Sequence, residues 1–228
     1  MDERVARGMA AQLAHRRDRL EAGEVPVGWK IGLNPPAAQE KAGISAPVTG
    51  FLTDATVLAS GGRYAIGDGA NVRVEPEVAV RLGADLAADA GAGAGAAAIG
   101  SLAPALEVVD LDRDVSEIEA VLAGNVFHRA VLFGEERLGE RSVAGLEMRV
   151  LRSDEPEPEA DGNVAEAAGD LDALLLGIAR FLDAHGAALR AGDRVICGSL
   201  VPPLAARPGE TIALELDGLG RVEVGFAA

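Results

Sequence analysis

Hydrophobic and polar residues alternate most regularly over residues 72–82. With the two-residue period of a β-strand, one face is entirely apolar and holds Val72, Val74, Pro76, Val78, Val80 and Leu82. The opposite face holds Arg73, Glu75, Glu77, Ala79 and Arg81. The pattern therefore predicts a strand with two neighbouring carboxylates, about 7 Å apart.

Two features make this strand unusual. Neighbouring carboxylates repel each other and take up protons more readily, unless a cation lies between them. Pro76 has no amide hydrogen for a sheet hydrogen bond, so we expect the strand to be at an edge, irregular or interrupted there. A solvated strand face is the ordinary explanation for two such acids, and a ligand site is the alternative.

Other elements follow from the same patterns. Residues 3–22 have the apolar stripe of an amphipathic helix, formed by Val5, Met9, Leu13 and Leu20. Residues 25–33 alternate as a strand on which Lys30 stands between Gly28 and Gly32, and small neighbours leave room for a ligand. A lysine exposed to solvent or reaching towards it is the alternative for Lys30.

Two stretches are predicted as connections. Residues 44–60 are apolar but interrupted, as in a loop that packs over something, and Asp54 is either a turn cap or a carboxylate at a pocket mouth. Residues 84–100 are rich in Ala and Gly, which favours a flexible connection with a helical piece at 96–98. Their GAGAG run lacks the further glycine and helix of a dinucleotide-binding motif.

The remainder indicates a mixed α+β domain around a closed or folded sheet. Residues 118–135 mix helix and strand signals, residues 152–169 form a charged hairpin tip or surface loop, and residues 170–189 form the clearest helix. Three strands near the C-terminus complete the chain. We interpret His128 as a structural or surface residue, since no second histidine lies at metal-ligand spacing.

Glu107 adds a third acid to the strand pair. It lies in the short apolar strand APALEVVD, and an unpaired buried carboxylate is expensive. A cation shared with Glu75 and Glu77 would balance it. Oxygen ligands alone favour Mg²⁺, Mn²⁺ or Ca²⁺ over Zn²⁺, and three protein ligands leave octahedral positions for substrate or water.

Composition narrows the classes of partner. The formal net charge of −15 argues against nucleic acid and anionic membranes as partners. A single cysteine, Cys197, excludes an intrachain disulfide and fits a reducing compartment. The chain has no long apolar run, and its first residues lack a signal-peptide pattern, so we expect a cytoplasmic protein.

Taken together, these motifs resemble a known family. GWKIGL, GFLTDATVL, RVEPEVAVRLG, APALEVVD, LRAGDRVICGSL and RPGETIALELDGLGRVEVGF occur in the order found in the fumarylacetoacetate hydrolase superfamily. The hydratase/decarboxylase branch, with 2-oxopent-4-enoate hydratase and 4-oxalocrotonate decarboxylase, is the most similar. The resemblance extends from about residue 6 to the C-terminus.

The resemblance implies a fold, a cofactor and site residues. The fold is a distorted, mixed β-barrel-like roll with flanking helices, with an N-terminal helix at 1–24 and one catalytic domain at 25–228. Glu75, Glu77 and Glu107 would hold Mg²⁺ or Mn²⁺. Lys30 and Asp54 would move protons while the metal stabilises the enolate of a 2-oxo acid, and we expect the nearby cation to lower the pKa of Lys30. The family also implies a homo-oligomer.

The sequence departs from the branch at residues 124–129. The branch usually carries D-N-x-[SA]-S/A-G, whereas this chain has GNVFHR, so a glycine replaces the acid, and Phe, His and Arg replace the small residues. This change would reshape the pocket, admit a more anionic substrate through Arg129, or mark a loss of activity. Asn125, Arg129 and Ser199 are the candidates for substrate contact, with a turn hydroxyl as the alternative for Ser199.

Several functions share these motifs. We expect a metal-dependent hydratase of a 2-oxo-alkenoate from aromatic catabolism. The enzymatic alternatives are a 4-oxalocrotonate-type decarboxylase and an acylpyruvate C–C hydrolase, and the hydrolase is disfavoured because its His–Glu dyad is not found here. A diverged, non-catalytic subunit of a hydratase/decarboxylase complex is the alternative of another class.

Overall fold

A computed structural model describes residues 2–228. Within that range the helices are α1 Glu3–Glu21, α2 Pro36–Ala42, α3 Ala94–Ala98, α4 Ile118–Ala123, α5 Val164–Ala168 and α6 Leu171–Asp183. The strands are β1 Pro26–Gly32, β2 Val48–Thr53, β3 Val57–Leu58, β4 Arg63–Ala65, β5 Val72–Leu82, β6 Ile99–Asp110, β7 His128–Phe133, β8 Arg137–Leu138, β9 Glu147–Arg152, β10 Ala160–Asn163, β11 Arg194–Ser199, β12 Leu204–Ala205, β13 Thr211–Leu216 and β14 Gly220–Ala227. A 3-10 turn, Asp54–Thr56, joins β2 to β3.

The larger sheet carries the site. Its strands run in the order β2-β1-β11-β5-β6-β7-β3, with β12 beside β5 and β8 beside β6, and it mixes parallel and antiparallel pairs. The long strands β5 and β6 pair antiparallel over almost their whole length, so that Glu75 is opposite Glu107. Because side chains alternate between the two faces of a strand, Glu75, Glu77 and Glu107 lie on one face of the sheet.

The smaller sheet covers the other face. Its strand order is β10-β9-β13-β14-β4, and β13 and β14 contact β6. The main core lies between the sheets and α6, and contains Val74, Val80, Leu106, Leu214 and Val224, each fully buried. This arrangement of two sheets and few helices confirms the predicted mixed α+β roll.

The helices begin and end at recognisable signals. Asp2 caps α1 by accepting a hydrogen bond from the Arg4 amide, and α1 packs on α4. Asp170 caps α6, which ends at Asp183, six residues before the predicted end. Gly186 takes a left-handed φ of 78°, and the Ala187 amide bonds back to the Leu182 carbonyl, so the chain leaves the helix there.

Pro76 lies inside the sheet, between β11 and β6, so the edge position is excluded. The sheet is irregular on the β11 side, as the prediction allowed: pairing stops at Ser199 opposite Glu77 and resumes at Leu204 opposite Val74. The Pro76 carbonyl accepts from the Leu200 amide in this gap. Because a residue in an antiparallel strand directs its N–H and C=O to the same side, the missing N–H also faces the gap.

Two predicted connections are corrected. Residues 44–60 contain β2, whose six residues are all buried and which pairs antiparallel with β1. Residues 84–100 contain buried Leu86, bridged to Leu189, and α3, whose start is held by Asp172 through the amides of Gly93 and Ala96. The alanine-rich sequence is docked because its small residues allow α3 to approach α6 closely.

Among the described residues, no helix is both long enough and apolar enough to cross a membrane.

Candidate metal centre

The sheet brings three carboxylates together on its concave side. Suitable oxygens of Glu75, Glu77 and Glu107 all lie within 4.8 Å of one another. Glu77 and Glu107 are fully buried, and Glu75 is half-buried. Leu52, Ala79, Ala103, Ala105, Val131 and Ile196 form a small apolar cluster on the same side, so these acids have little solvent around them.

Lys30 is the positive charge in this group. Its ammonium lies 2.7 Å from Glu107 Oε2, and its side chain is 2% exposed. It also donates a hydrogen bond of 3.0 Å to the Val126 carbonyl oxygen. Three strand spacings separate β1 from β6, roughly 14 Å across a flat sheet, so this contact requires a strongly curled sheet.

The glycines around Lys30 make room for protein rather than for a ligand. A Cβ on Gly28 would lie 1.9 Å from the Arg194 carbonyl oxygen, and one on Gly32 would lie 2.5 Å from Val126 Cγ1. A Cβ on Gly50, in β2, would lie 2.9 Å from Lys30 Cγ. The expectation that Gly28 and Gly32 leave space for a ligand is therefore corrected.

His128 completes the group, although the sequence favoured a structural or surface role for it. Its Nδ1 lies 2.7 Å from Glu107 Oε1 and its Nε2 lies 2.9 Å from Thr56 Oγ1. Strict alternation along β7 would direct His128 away from Glu107. Because Ala130 pairs with Val108 and His128 with Val109, Arg129 is an extra residue in the strand, and this bulge turns His128 towards Glu107.

The electrostatics of the cluster favour a bound cation. Burial, together with the charge of Glu107, raises the pKa of Glu75 to about 7. Burial and both neighbouring acids raise the pKa of Glu77 well above its ordinary value. Burial opposes ionisation of Glu107 too, but Lys30 and His128 outweigh it and lower the pKa of Glu107.

Two of the other pKa shifts follow from the same contacts. Burial lowers the pKa of His128, so its ring is neutral near pH 7 and donates from Nδ1 to Glu107. Burial would also lower the pKa of Lys30, but the three carboxylates outweigh it and the pKa is raised. Without a cation, the expected lowering of the Lys30 pKa is thus reversed.

The residues present fit a divalent ion. Glu77 Oε2 accepts from the Gly198 amide at 2.7 Å, whereas Glu77 Oε1 is buried without a partner in the described structure. Such an orphaned anionic oxygen is costly unless a cation or proton satisfies it. Mg²⁺ and Ca²⁺ lie about 2.0–2.6 Å from each oxygen ligand, so two ligand oxygens on opposite sides of one ion are about 4–5 Å apart. The carboxylate oxygens of the three glutamates, within 4.8 Å of one another, match this spacing.

Gly198 is a further residue that sequence reasoning missed. It has a left-handed φ of 95°, and a Cβ there would meet Ile31 Cγ2 at 3.1 Å, so glycine suits the position that donates to Glu77. The glycine within the apolar strand RVICGS was the available signal.

Asp54 and Ser199 have other partners. Asp54 is exposed and accepts a hydrogen bond of 2.8 Å from the amide of Val25, which lies outside its own turn. Ser199 donates to the Val201 carbonyl oxygen at 2.7 Å, as a turn hydroxyl does. The described contacts do not bring Asp54 into the carboxylate cluster, and its catalytic role stays a prediction, as does substrate contact by Ser199.

Asn125 and Arg129 also have hydrogen-bond partners within the protein. The Asn125 amide exchanges hydrogen bonds of 2.8 and 2.9 Å with the Phe51 backbone, fixing residues 124–127 to β2. Arg129 lies 3.0 Å from Asp112 Oδ2 and donates to the His128 carbonyl oxygen. Their roles in substrate binding stay predictions without support from these contacts.

Residues 125–127 are strained. Asn125, Val126 and Phe127 all have left-handed φ values, 60°, 53° and 65°, and each costs roughly 1–2 kcal/mol outside glycine. The hydrogen bonds between the Asn125 side chain and the Phe51 backbone, together with burial of Val126 and Phe127, offset this cost. The strained turn directs the Val126 carbonyl at Lys30 and leads into His128.

A cavity of about 410 Å³ lies near Gly198, although none of the three glutamates lines it. Ile31 and Asn34, two of its lining residues, lie next to Gly198, whose amide holds Glu77. A larger cavity of about 640 Å³, between residues 85–89 and the end of α6, shares no lining residue with the carboxylate cluster. We relate the smaller cavity to the carboxylate cluster because two of its lining residues lie next to Gly198.

A curled mixed sheet with three clustered glutamates and a buried lysine defines a class of folds whose oxygen donors could hold a divalent cation. Within this class, the chain belongs to the fumarylacetoacetate hydrolase family: the family profile, described as fumarylacetoacetate (FAA) hydrolase C-terminal, matches residues 28–227. This result confirms the resemblance predicted from the ordered motifs.

The alignments with two named relatives cover most of this chain and most of theirs. A 4-oxalocrotonate decarboxylase from Pseudomonas sp is 30% identical, covering 91% of this chain and 80% of its own. The 2-keto-4-pentenoate hydratase 1 of Dechloromonas aromatica (strain RCB) is also 30% identical, covering 96% and 84%. Both branch members that the motifs suggested are therefore among the relatives.

A solved structure agrees with this assignment. The 4-oxalocrotonate decarboxylase from Pseudomonas putida G7, complexed with magnesium and adipate, matches with a TM-score of 0.82 and 26% identity over 94% of this chain and 83% of that one. The same enzyme was also solved with calcium and acetate.

Proposed function

We propose that this protein is a divalent-metal-dependent hydratase that adds water to a 2-oxo-alkenoate of the 2-keto-4-pentenoate type. The buried cluster of Glu75, Glu77 and Glu107, in which Glu77 Oε1 has no partner among the described residues, is the observation that carries the proposal. Hydratases at about 30% identity supply the reaction class.

Mg²⁺ or Mn²⁺ is the proposed cofactor, held by Glu75, Glu77 and Glu107. The donors are carboxylate oxygens only, and magnesium accompanies the related decarboxylase structure. When bound, such an ion supplies Lewis acidity that polarises the keto group of a 2-oxo acid.

Lys30 is the proposed proton carrier. Its ammonium is buried beside Glu107 and holds a proton at Nζ in the ion-free protein. A buried lysine next to carboxylates suits general acid catalysis because its protonation depends on the charges around it. Glu107 and the Val126 carbonyl hold the ammonium in place.

The charges around the smaller cavity favour a substrate with an uncharged tail. Its lining is mostly apolar, includes Phe181 and the acid Asp170, and contains no lysine or arginine among the described residues. Arg129, the candidate for a second substrate carboxylate, is paired with Asp112. Both observations support a monoacid over the diacid of a decarboxylase.

Decarboxylation of a 4-oxalocrotonate-type diacid is the second candidate. The relative from Pseudomonas sp and the structure from Pseudomonas putida G7 favour it. The two activities share these motifs, so assays with the two substrates must distinguish them. The intact cluster and Lys30 weigh against a non-catalytic subunit, and nothing among the described residues supports the C–C hydrolase.

The test follows loss of the dienol absorbance of 2-hydroxypenta-2,4-dienoate after chelation and addition of Mg²⁺ or Mn²⁺, with product masses recorded. We expect a metal-dependent gain of one water, which a Glu75→Gln variant abolishes. A diacid substrate is tested in parallel for release of carbon dioxide. No hydration by metal-loaded protein, together with decarboxylation of the diacid, would contradict the hydratase proposal.

The wider context is also proposed. The net charge and single cysteine support a cytoplasmic protein without nucleic-acid or membrane partners. A role in aromatic catabolism is proposed from the family resemblance alone. Residues 25–228 would form one catalytic domain, to which the N-terminal segment 1–24, containing α1, is added. Family membership supports a homo-oligomer.

A further inference from the structure

Glu77 and Glu107 each have one oxygen fixed by a neighbour outside the group of three acids and Lys30. Glu77 accepts the Gly198 amide at Oε2 and leaves Oε1 without a partner. Glu107 contacts His128 Nδ1 at Oε1, 2.7 Å away, and its Oε2 faces Lys30. The two acids therefore share one arrangement, in which one oxygen is fixed and the other faces the cluster.

His128 is itself fixed on both sides. Its Nε2 lies 2.9 Å from the Thr56 hydroxyl, and its side chain is 1% exposed. Thr56 belongs to the 3-10 turn between β2 and β3, and β3 pairs with β7. The ring therefore has no room to turn away from Glu107, and the bulge at Arg129 maintains its direction.

We propose that His128 is a positioning residue for the metal centre: it holds Glu107 through Oε1, so that Oε2 alone is offered to the ion. This inference rests on the proposed function, because it requires a cation. It differs from the expectation that His128 is a structural or surface residue, and it gives a role to the altered segment 124–129. A hydrogen-bond donor behind a ligating carboxylate orients it and tunes its affinity.

The variants separate the hydrogen bond from the volume of the ring. His128→Leu fills the space without a donor, whereas the amide of His128→Asn places a donor where Nδ1 now lies. Thr56→Val removes the hydroxyl behind the ring. His185→Asn is the matched control, since the ring of His185 lies 4.8 Å from that of Phe181 and none of its described contacts involves a carboxylate of the cluster.

The measurement is calorimetric titration of the chelator-treated protein with Mn²⁺ alone. We expect His128→Leu to weaken binding by about 10–100-fold, His128→Asn to recover most of the loss, and His185→Asn to bind like the wild type. Proton relaxation of Mn²⁺-bound water gives a second readout: a released Glu107 binds through both oxygens in His128→Leu and displaces a water.

Wild-type affinity in His128→Leu, or an Asn variant as weak as the Leu variant, overturns the positioning role. If His128→Leu shows no cooperative unfolding transition, Thr56→Val replaces it, and wild-type affinity in that variant overturns the role. If the wild type binds no Mn²⁺, the proposed function fails as well, which distinguishes that failure from failure of the His128 inference alone.

Discussion

At the scale of single residues, the site depends on a lysine that is buried among acids. The chain has two lysines, and they differ sharply: Lys30 is buried against Glu107, whereas Lys41 is exposed and lies 3.7 Å from Asp114. Removing one partner from a buried ion pair leaves the other without compensation. The two lysines therefore provide a variant and its control.

We expect Lys30→Met to abolish turnover and to lower the free energy of unfolding of the ion-free protein by about 3–5 kcal/mol. Methionine keeps the length of the side chain but leaves Glu107 without its ammonium partner. Urea unfolding of the chelated protein measures the loss. Lys41→Met should unfold like the wild type, because exposed ion pairs contribute little, and equal stability of both variants would contradict this account.

The sequence predicts some of these residues well and others poorly. Glu75 and Glu77 are visible because a strand period of two puts them on one face, and Glu107 because it interrupts an apolar strand. His128 is missed because a bulge changes the alternation of β7. Asp54 is ambiguous because a turn cap and a catalytic acid have the same local sequence.

At the scale of elements, β2 and the strained turn at residues 125–127 together fix the position of the Lys30 side chain. A Cβ at Gly50 would lie 2.8 Å from Asn125 Oδ1 and 2.9 Å from Lys30 Cγ. Glycine at position 50 therefore leaves space for the side chains of both Asn125 and Lys30. The sequence did not predict β2, which lies in the stretch interpreted as a loop, and close approaches between distant strands cannot be read from it either.

Gly50→Ala should lower stability by about 1–3 kcal/mol, as overpacking does, and should reduce turnover by displacing Lys30. Gly67→Ala is the matched control, because a Cβ there has no heavy atom within 4 Å. Thermal unfolding and the dienol assay test the pair. Retention of full activity in Gly50→Ala would mean that Lys30 does not need this placement.

At the scale of the whole molecule, sheet curvature makes the site. Local patterns predict β1, β5 and β6, and the ordered motifs predict the roll, but the contact of Lys30 with Glu107 depends on how far the sheet curls. Docking of residues 84–100 is likewise a tertiary effect, since alanine and glycine carry little local information. Such long-range geometry cannot be deduced from single strands.

The central claim is that folding gathers carboxylates which a divalent cation must balance. The folded pKa of Glu77 is raised by burial and by Glu107 and Glu75, so the folded state holds a proton that the unfolded state loses above its ordinary pKa of 4.5. The ion-free protein should therefore lose stability as pH rises. His128, whose pKa is lowered, has the opposite effect only below about 6.5.

The most direct measurement is the Tm of chelated protein between pH 7 and 8.5, with and without Mn²⁺. We expect Tm to fall with rising pH by roughly 2–4 °C per kcal/mol lost, and Mn²⁺ to restore it more fully at the higher pH. In Glu77→Gln both effects should shrink, whereas exposed Glu119→Gln should behave like the wild type. A Tm that Mn²⁺ leaves unchanged, or raises equally in Glu77→Gln, would contradict a metal centre at these three glutamates.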